Sequence, residues 1–189
     1  MNDPGKIIQP HGGYRSLKAY QTTEIIYDGT VKFCERFVDR RSRTTDQMVQ
    51  AARSGKQNIA EGSQASGTSK KTELKLVGIA RASLEELLQD YQDFLRQQGL
   101  PLWGKEHPQA KKIRNLAYHD NRSYLTYKTY FEDSSAEVAA NTLICLVHQA
   151  NYLLDQLLRQ LEKQFLEKGG FTERLYHTRQ KARGDGDSF

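Results

Sequence analysis

The sequence has little of the residues that mark disulfide-rich, metal-binding or disordered proteins. Only two cysteines, Cys34 and Cys145, occur among its 189 residues, and they lie far apart inside predicted helices. A secreted disulfide framework or a zinc site needs more cysteines at closer spacing. Four prolines and 37% hydrophobic residues do not match the composition of a disordered chain. The composition therefore favours a globular protein without redox or metal chemistry.

Long apolar runs are also missing. No run reaches the roughly 18 residues that a membrane span needs, and the N-terminal stretch MNDPGKIIQPHGGY lacks the apolar segment of a signal peptide. We therefore expect a cytoplasmic protein with no membrane partner. A chain of 189 residues is long enough for one sizeable core, so we expect one domain with additions.

Positive charge exceeds negative charge and is concentrated in two segments. The chain has 28 Lys and Arg against 23 Asp and Glu, a net charge of +5. Residues 36–56 hold six cations against two acids, and residues 168–183 hold five against one, which leaves +4 in each. Such runs are found on surfaces that bind nucleic acid and equally on solvated helix faces, and both interpretations stay open. The candidate nucleic-acid-binding residues are Arg40, Arg41, Arg43, Arg53, Lys56, Lys111, Lys112, Arg114, Arg174, Arg179, Lys181 and Arg183.

Apolar residues recur at steps of three and four in four long segments, which is the spacing of one helix face. The segments are residues 16–38, 44–64, 69–98 and 134–168. No convincing strand pattern accompanies them. The sequence therefore predicts an all-α protein, an up-and-down antiparallel four-helix bundle over residues 14–168.

Helix starts are predicted from residues that can cap the first turn. Thr44 or Thr45 can open the second long helix, and Ser69 can open the third. Ser134 with Glu137 matches the capping box S-x-x-E and predicts the start of the fourth.

Three segments fall outside this periodicity. Residues 1–13 contain several prolines and glycines and are predicted to be a flexible N-terminal arm. Residues 100–133 form an insertion between the third and fourth helices, with a short helix expected over about 108–118. Residues 169–189 form a basic C-terminal suffix whose first half is compatible with another short helix.

Tyrosines are concentrated in the insertion, where they alternate with cations. The residues concerned are Tyr118, Tyr124, Tyr127, Tyr130, Arg114, Arg122 and Lys128. Exposed aromatic and cationic side chains of this kind can stack on unpaired bases. Tyrosines also pack an insertion against a bundle, and we favour this second interpretation.

No enzyme signature is complete. Gly55-Lys56 is similar to the end of a phosphate-binding loop, but the upstream glycine and the following hydroxyl residue are missing. The Glu-x-x-His pairs of a di-iron bundle do not occur, and the five histidines lack metal-type spacing. We therefore expect no catalytic residue, no metal and no cofactor. His148 is interpreted as a partly buried core or interface residue, and Cys34 and Cys145 as core residues.

Two short motifs place carboxylates among small and apolar residues. The motif residues are Asn58, Glu61, Gly62, Ser83 and Glu86. Burying a carboxylate costs several kcal/mol unless it is hydrogen-bonded or paired. We therefore expect Glu61 and Glu86 to contact Asn58, Ser83 or Arg81. A polar clamp that fixes the helix register is favoured over a catalytic pair.

At these motifs the sequence resembles the four-helix-bundle family first noted as proteins encoded in the intervening sequence of bacterial 23S ribosomal RNA. The family pattern N-I-A-E-G is present at residues 58–62, and Ser69 and Glu73 match its serine-rich turn and acidic residue. Residues 80–87 match its A-x-G-S-L-x-E-L helix, except that Ala82 replaces glycine. The insertion and the suffix are similar to the longer branch described as four helix bundle suffix domain proteins.

This resemblance implies a non-enzymatic bundle that assembles with itself, because several family members form pentameric rings. A relative, the accessory variability protein of diversity-generating retroelements, binds nucleic acid and docks a reverse transcriptase. The expected function is a ring-forming bundle that binds RNA or DNA, or that docks an RNA-handling partner such as a reverse transcriptase. The alternative is a protein scaffold or adaptor with no direct nucleic-acid contact, and an enzyme is the third option.

Overall fold

The computed structural model describes residue 8, residues 10–119 and residues 121–184, with only the backbone for residues 168, 181, 182 and 184. Within these ranges the regular secondary structure is helical and no strand occurs. The all-α fold class predicted from the periodicity is therefore confirmed.

A short 3-10 turn at Tyr14–Ser16 precedes the α-helices. The α-helices are α1 (Lys18–Phe37), α2 (Arg43–Ala65), α3 (Lys70–Gln97), α4 (Pro108–Leu116), α5 (Tyr124–Glu132), α6 (Ala136–Lys168) and α7 (Phe171–Gly184). The four long helices and α4 lie where the sequence pattern predicts them. The tyrosine-rich part of the insertion forms α5, a helix that the sequence analysis missed, and the suffix begins with α7.

The cap of α2 differs from the predicted one, whereas the cap of α3 is the predicted one. The second long helix is capped by Ser42, whose Oγ accepts a hydrogen bond from the amide of Thr44 at 3.2 Å, so the prediction of Thr44 or Thr45 as the cap is wrong. Ser69 caps α3 as predicted, because its Oγ accepts from the amide of Thr72 at 3.1 Å. The basic turn before α2 is therefore shorter than the sequence analysis assumed.

The start of α6 is also displaced by one residue. Ser135, not Ser134, is the cap, and its side chain accepts from the amide of Val138 at 3.3 Å. Ser134 instead donates its hydroxyl to the carbonyl of Tyr130 in the last turn of α5. Two successive serines thus serve two successive helices, which the spacing to Glu137 alone did not distinguish.

The long helices share one core. α1 packs against α2 and α6, and α3 packs against the same two helices. The shorter α4 lies on α6, and α5 contacts both α1 and α6. The insertion therefore covers the face formed by α1 and α6.

Aromatic residues fill the centre of this core. Phe33 lies edge-on to Tyr91 and Phe94, with ring centroids 5.1 and 4.9 Å away. Tyr91 is fully buried, and its hydroxyl is 2.9 Å from Oγ1 of Thr30. Thr30 in turn donates to the carbonyl of Ile26 at 2.7 Å, so the polar atoms of this pair are satisfied inside the core.

Glycines in the helix interiors permit close approach between helices. A Cβ at Gly29 of α1 would lie 2.9 Å from both Leu143 Cδ2 and Phe131 Cζ. A Cβ at Gly55 of α2 would lie 2.8 Å from Leu84 Cδ2. The small residue at Gly55 therefore lets α3 come close to α2.

The predicted N-terminal arm is described only at residue 8 and residues 10–13, and the remainder of 1–13 lies outside the described residues. The amide of Gly12 donates to the carbonyl of Ser63 at 3.1 Å. This bond places the end of the arm beside the last turns of α2.

Candidate nucleic-acid interface

The turn between α1 and α2, together with the first residue of α2, presents three arginines to solvent. Arg40, Arg41 and Arg43, which we call the basic corner, are all exposed. The turn is shaped by Asp39, whose carboxylate accepts from the backbone amide of Arg41 at 2.9 Å. Within the described part of the chain, none of the three guanidinium groups forms a salt bridge. The basic corner therefore keeps its charge available to an anionic partner.

The other predicted cations of α2 differ from each other. Arg53 is exposed like the basic corner. Lys56 is half-buried, and its ammonium lies 4.5 Å from the ring centroid of Tyr27. This cation–π contact uses Lys56 to join α2 to α1.

Arg36, which contributes to the same charged segment, has a structural contact. Its guanidinium donates to the carbonyls of Phe131 and Ser134, the latter at 2.8 Å. It therefore ties the end of α1 to the junction between α5 and α6, and the segment has fewer free charges than its composition indicates.

The cations predicted on α4 do not form one patch. Lys111 and Lys112 are exposed, and the ammonium of Lys111 pairs with Glu106 at 2.6 Å. Arg114 is half-buried, donates from Nη2 to the carbonyl of Lys105 at 2.6 Å, and lines a cavity. Arg114 therefore differs in its surroundings from Lys111 and Lys112, although all three lie on α4.

The cations of the suffix lie on α7. Arg179 and Arg183 are exposed, whereas Arg174 is half-buried. The side chain of Lys181 lies outside the described residues. None of the main helix–helix contacts among the described residues involves this helix.

The polar motif differs from its prediction at the two carboxylates. Glu61 and Glu86 are both exposed, so the predicted burial of these groups is wrong. Each lies on the solvent-facing side of its helix, next to the buried apolar stripe. Successive residues of an α-helix point about 100° apart around the helix axis, so a residue adjacent in sequence to a buried one can face solvent. Neither carboxylate requires a compensating partner in this position.

Hydroxyl and amide groups form the polar clamp instead. Ser83 is buried, and its Oγ is 2.9 Å from Oγ of Ser54. Asn58 donates from Nδ2 to the carbonyl of Ser54 at 2.9 Å and to its Oγ at 3.1 Å. Ser54 was not among the predicted motif residues. It lies four residues before Asn58, which places both side chains on the same face of a helix and could have indicated the contact. Gly62 is buried close to α3, where an added Cβ would lie 3.4 Å from Leu76 Cβ.

The prediction that Arg81 is a partner for Glu61 or Glu86 is wrong. Its guanidinium contacts Glu85 at 2.8 Å and Asp155 at 3.3 Å. Arg81 therefore joins α3 to α6, because the two acids lie on different helices.

A cavity of about 620 Å³ opens between α4, α6 and the segment that connects α3 to α4. Four cationic residues line it, and no Asp or Glu among the described residues does. These cations are Lys18, Lys105, Arg114 and Arg122. Three aromatic residues also contribute, namely Trp103, Tyr118 and Tyr152.

The connecting segment is held on α6 by hydrogen bonds around Trp103. The backbone amide of Trp103 donates to Oδ1 of Asn141, and its indole Nε1 donates to Glu137, both at 2.8 Å. Asn141 donates in turn to the carbonyl of Pro101 at 2.9 Å. The Trp103 ring stacks on His107 with the centroids 4.7 Å apart. One wall of the cavity is therefore built by specific contacts.

The tyrosines of the insertion divide between packing and exposure. Tyr127 is buried, and Tyr124 and Tyr130 pack half-buried against the core. Tyr118 is 86% exposed at the cavity. The preferred packing interpretation holds for three tyrosines, and base stacking stays available to Tyr118 alone.

The histidine and cysteine predictions have mixed outcomes. His148 is exposed at the cavity, so its interpretation as a core residue is wrong, whereas its interpretation as an interface residue stays a prediction. Cys34 is buried, and burial followed by the nearby Asp90 carboxylate raises the pKa of its thiol to about 12. Cys145 is half-buried in the cavity wall, where burial raises its pKa against the opposing effect of Arg114.

Among the described residues, no group of three or more His, Cys, Asp or Glu side chains is placed to hold a metal ion. None of the helices in the described ranges combines the length and apolar character of a membrane span.

Comparisons with family models, with curated proteins and with solved structures found no match to this chain. The resemblance to the 23S intervening-sequence family therefore stays a prediction from the motifs quoted above.

Proposed function

We propose that this chain is a non-enzymatic nucleic-acid-binding protein whose basic corner contacts phosphates. The observation that carries the proposal is the unpaired exposure of Arg40, Arg41 and Arg43 in one short segment. A guanidinium binds phosphate in a bidentate manner, and each phosphate contact releases condensed counterions. Because none of the three guanidinium groups forms a salt bridge in the described chain, their charge supports binding to RNA or DNA.

We propose further that α1, α2, α3 and α6 form the predicted up-and-down antiparallel four-helix bundle. The pairing of residues supports opposite directions for α2 and α3, since Ser54 meets Ser83 whereas Gly62 lies near Leu76. Consecutive long helices are joined by short turns at the first two connections, as such bundles require. The bundle gives the corner a rigid base.

Self-assembly into a ring, which the family resemblance predicts to be pentameric, forms the next part of the proposal. A ring repeats each basic corner around one axis, so that weak phosphate contacts add through avidity. Analytical ultracentrifugation tests this point directly. A single sedimenting species with the mass of several chains is expected, and a monomer at all protein concentrations would contradict it.

An adaptor that binds a protein partner, such as a reverse transcriptase, is the second candidate function. The end of α6 and α7 carry exposed apolar residues, with Leu166 77% and Tyr176 59% exposed. Apolar contacts resist salt, whereas phosphate contacts are screened. Partner binding that persists in high salt, without any affinity for nucleic acid, would favour this function.

The proposal is tested by the triple variant R40Q/R41Q/R43Q, with single-stranded RNA, duplex RNA and DNA as probes. The matched control is K71Q/K75Q/R159Q, which removes three exposed cations elsewhere and gives the same net charge. The corner variant should lose about tenfold or more in affinity at low salt, while the control changes less. Equal losses in both variants would show that only net charge matters and would remove the basic corner from the account.

A further inference from the structure

The cavity between α4 and α6 combines features that the basic corner lacks. It is formed by other residues, and its volume of about 620 Å³ lies within the range of small-ligand sites, roughly 300–1,000 Å³. From its lining we infer that it binds a single nucleotide, with the phosphate at the cations and the base among the aromatic side chains.

The charge of the lining selects an anion. Lys18, Lys105, Arg114 and Arg122 line the cavity, and none of the other lining residues that the structure describes is acidic. Two of the guanidinium groups are already anchored, since Arg114 donates to the carbonyl of Lys105 at 2.6 Å and Arg122 donates to Oγ1 of Thr22 at 2.7 Å. A guanidinium carries five N–H donors, so an anchored group can still bind phosphate without losing further conformational freedom.

The aromatic side chains select a flat ligand. Trp103 is fixed in the wall by its bonds to Glu137 and Asn141. Tyr118 and Tyr152 are 86% and 63% exposed on the same cavity. Bases stack on such side chains whatever their identity, because every base has an aromatic face.

Gln149 supplies a polar group for the edge of the base. It lines the cavity, and both Oε1 and Nε2 are shielded from solvent without a hydrogen-bond partner in the described chain. A buried amide without partners is unfavourable, so a rotation that turns Gln149 into the cavity is favoured when a ligand brings a donor and an acceptor, and a nucleobase edge such as that of adenine provides both. This unsatisfied amide distinguishes the cavity from a merely basic surface.

Trp103 makes the site directly observable because it is the single tryptophan of the chain. The experiment titrates the full chain with adenosine monophosphate, adenosine and inorganic phosphate, and follows tryptophan emission and binding heat. Adenosine monophosphate should change the emission and bind about tenfold or more tightly than either of the other two probes. Absence of both signals up to millimolar nucleotide would overturn the inference, as would equal binding of adenosine and adenosine monophosphate.

Variants at α6 test the role of the amide. Gln149→Leu should weaken adenosine monophosphate about tenfold, whereas Gln156→Leu, at an exposed position of the same helix, should bind like the unaltered chain. If Gln149→Leu does not fold, Gln149→Glu replaces it, because its carboxylate has a similar shape but lacks the N–H donor for the base edge. Unchanged affinity in the folded Gln149 variant would overturn the assignment.

A free nucleotide and a nucleotide within a strand share this chemistry. Competition by oligoadenylate distinguishes them, since displacement of adenosine monophosphate assigns the cavity to a strand and lack of displacement assigns it to the free nucleotide. The corner variant R40Q/R41Q/R43Q should bind adenosine monophosphate normally. A lack of nucleotide binding at the cavity and a lack of nucleic-acid binding at the basic corner can therefore be detected separately.

Discussion

Ser54 on α2 and Ser83 on α3 face each other with their hydroxyl oxygens 2.9 Å apart. Ser54 also accepts from Asn58, so one hydroxyl connects the motif at residues 58–62 with the motif at residues 80–87. Gly55, the next residue along α2, lies where an added Cβ would meet Leu84. The motifs therefore act in this structure by holding two closely packed helices in register.

Replacing Ser83 should destabilise the protein more than replacing the acid three residues later. Ser83→Ala removes the buried bond to Ser54, a loss of about 1 kcal/mol in the free energy of unfolding. Glu86→Gln, at an exposed position, should stay within about 0.5 kcal/mol of the unaltered chain. Urea unfolding measures both. A larger loss for Glu86→Gln would restore the carboxylate clamp that the sequence predicted.

Two glycine-to-alanine changes should act in opposite directions. Gly78→Ala in α3 meets no atom within 4 Å and should stabilise the helix by up to about 1 kcal/mol. Gly29→Ala in α1 places Cβ 2.9 Å from buried Leu143 and Phe131, where overpacking costs about 1–3 kcal/mol. Thermal unfolding should show a raised Tm for the first variant and a lowered Tm for the second. Equal shifts would mean that α1 is not held as closely as described.

The cap of α2 can be located by paired substitutions in the turn. Ser42→Ala removes the acceptor for the amide of Thr44 and should cost about 1 kcal/mol. Thr44→Ala is at an exposed position inside the helix and should be close to neutral. Denaturant midpoints compare the two. The reverse order would support the cap predicted from sequence.

Alkaline pH should destabilise the protein partly through Cys34. Burial raises the pKa of its thiol to about 12 in the folded chain, whereas an unperturbed thiol has a pKa of about 8.5. The unfolded state therefore loses this proton first, and the associated stability, complete below about pH 8.5, is lost as pH rises towards 12. Urea unfolding between about pH 8 and pH 10.5 should show a smaller decrease for Cys34→Ala than for the unaltered chain. Identical decreases would contradict a buried neutral thiol.

The helices were predictable because each long helix has an apolar stripe that repeats at the helical period. Leu84, Leu88 and Tyr91 in α3 and Leu143, Val147 and Leu154 in α6 are all buried. The helix α5 was missed because its residues are mainly tyrosine and threonine, which are weak helix formers and have no clear stripe. Its position depends on tertiary contacts with α1 and α6.

The candidate sites were predictable only in part, because exposure and pairing depend on neighbours that are distant in sequence. The exposed cations of the basic corner were predictable, because they are close together in a short segment rich in arginine. By contrast, the guanidinium of Arg36 donates hydrogen bonds to the carbonyls of Phe131 and Ser134, which are nearly a hundred residues away in sequence. The cavity joins Lys18, Trp103 and Gln149 from three separate parts of the chain, and no local motif indicates that combination.

The salt dependence of RNA binding tests the central claim most directly. Fluorescence anisotropy with single-stranded RNA at several salt concentrations gives the slope of log affinity against log salt. Each phosphate contact with a single strand contributes about −0.7, so the three arginines of the basic corner predict a slope of about −2 or steeper. R40Q/R41Q/R43Q should flatten this slope. No binding at low salt, or a slope that the triple variant leaves unchanged, would contradict phosphate recognition by the basic corner.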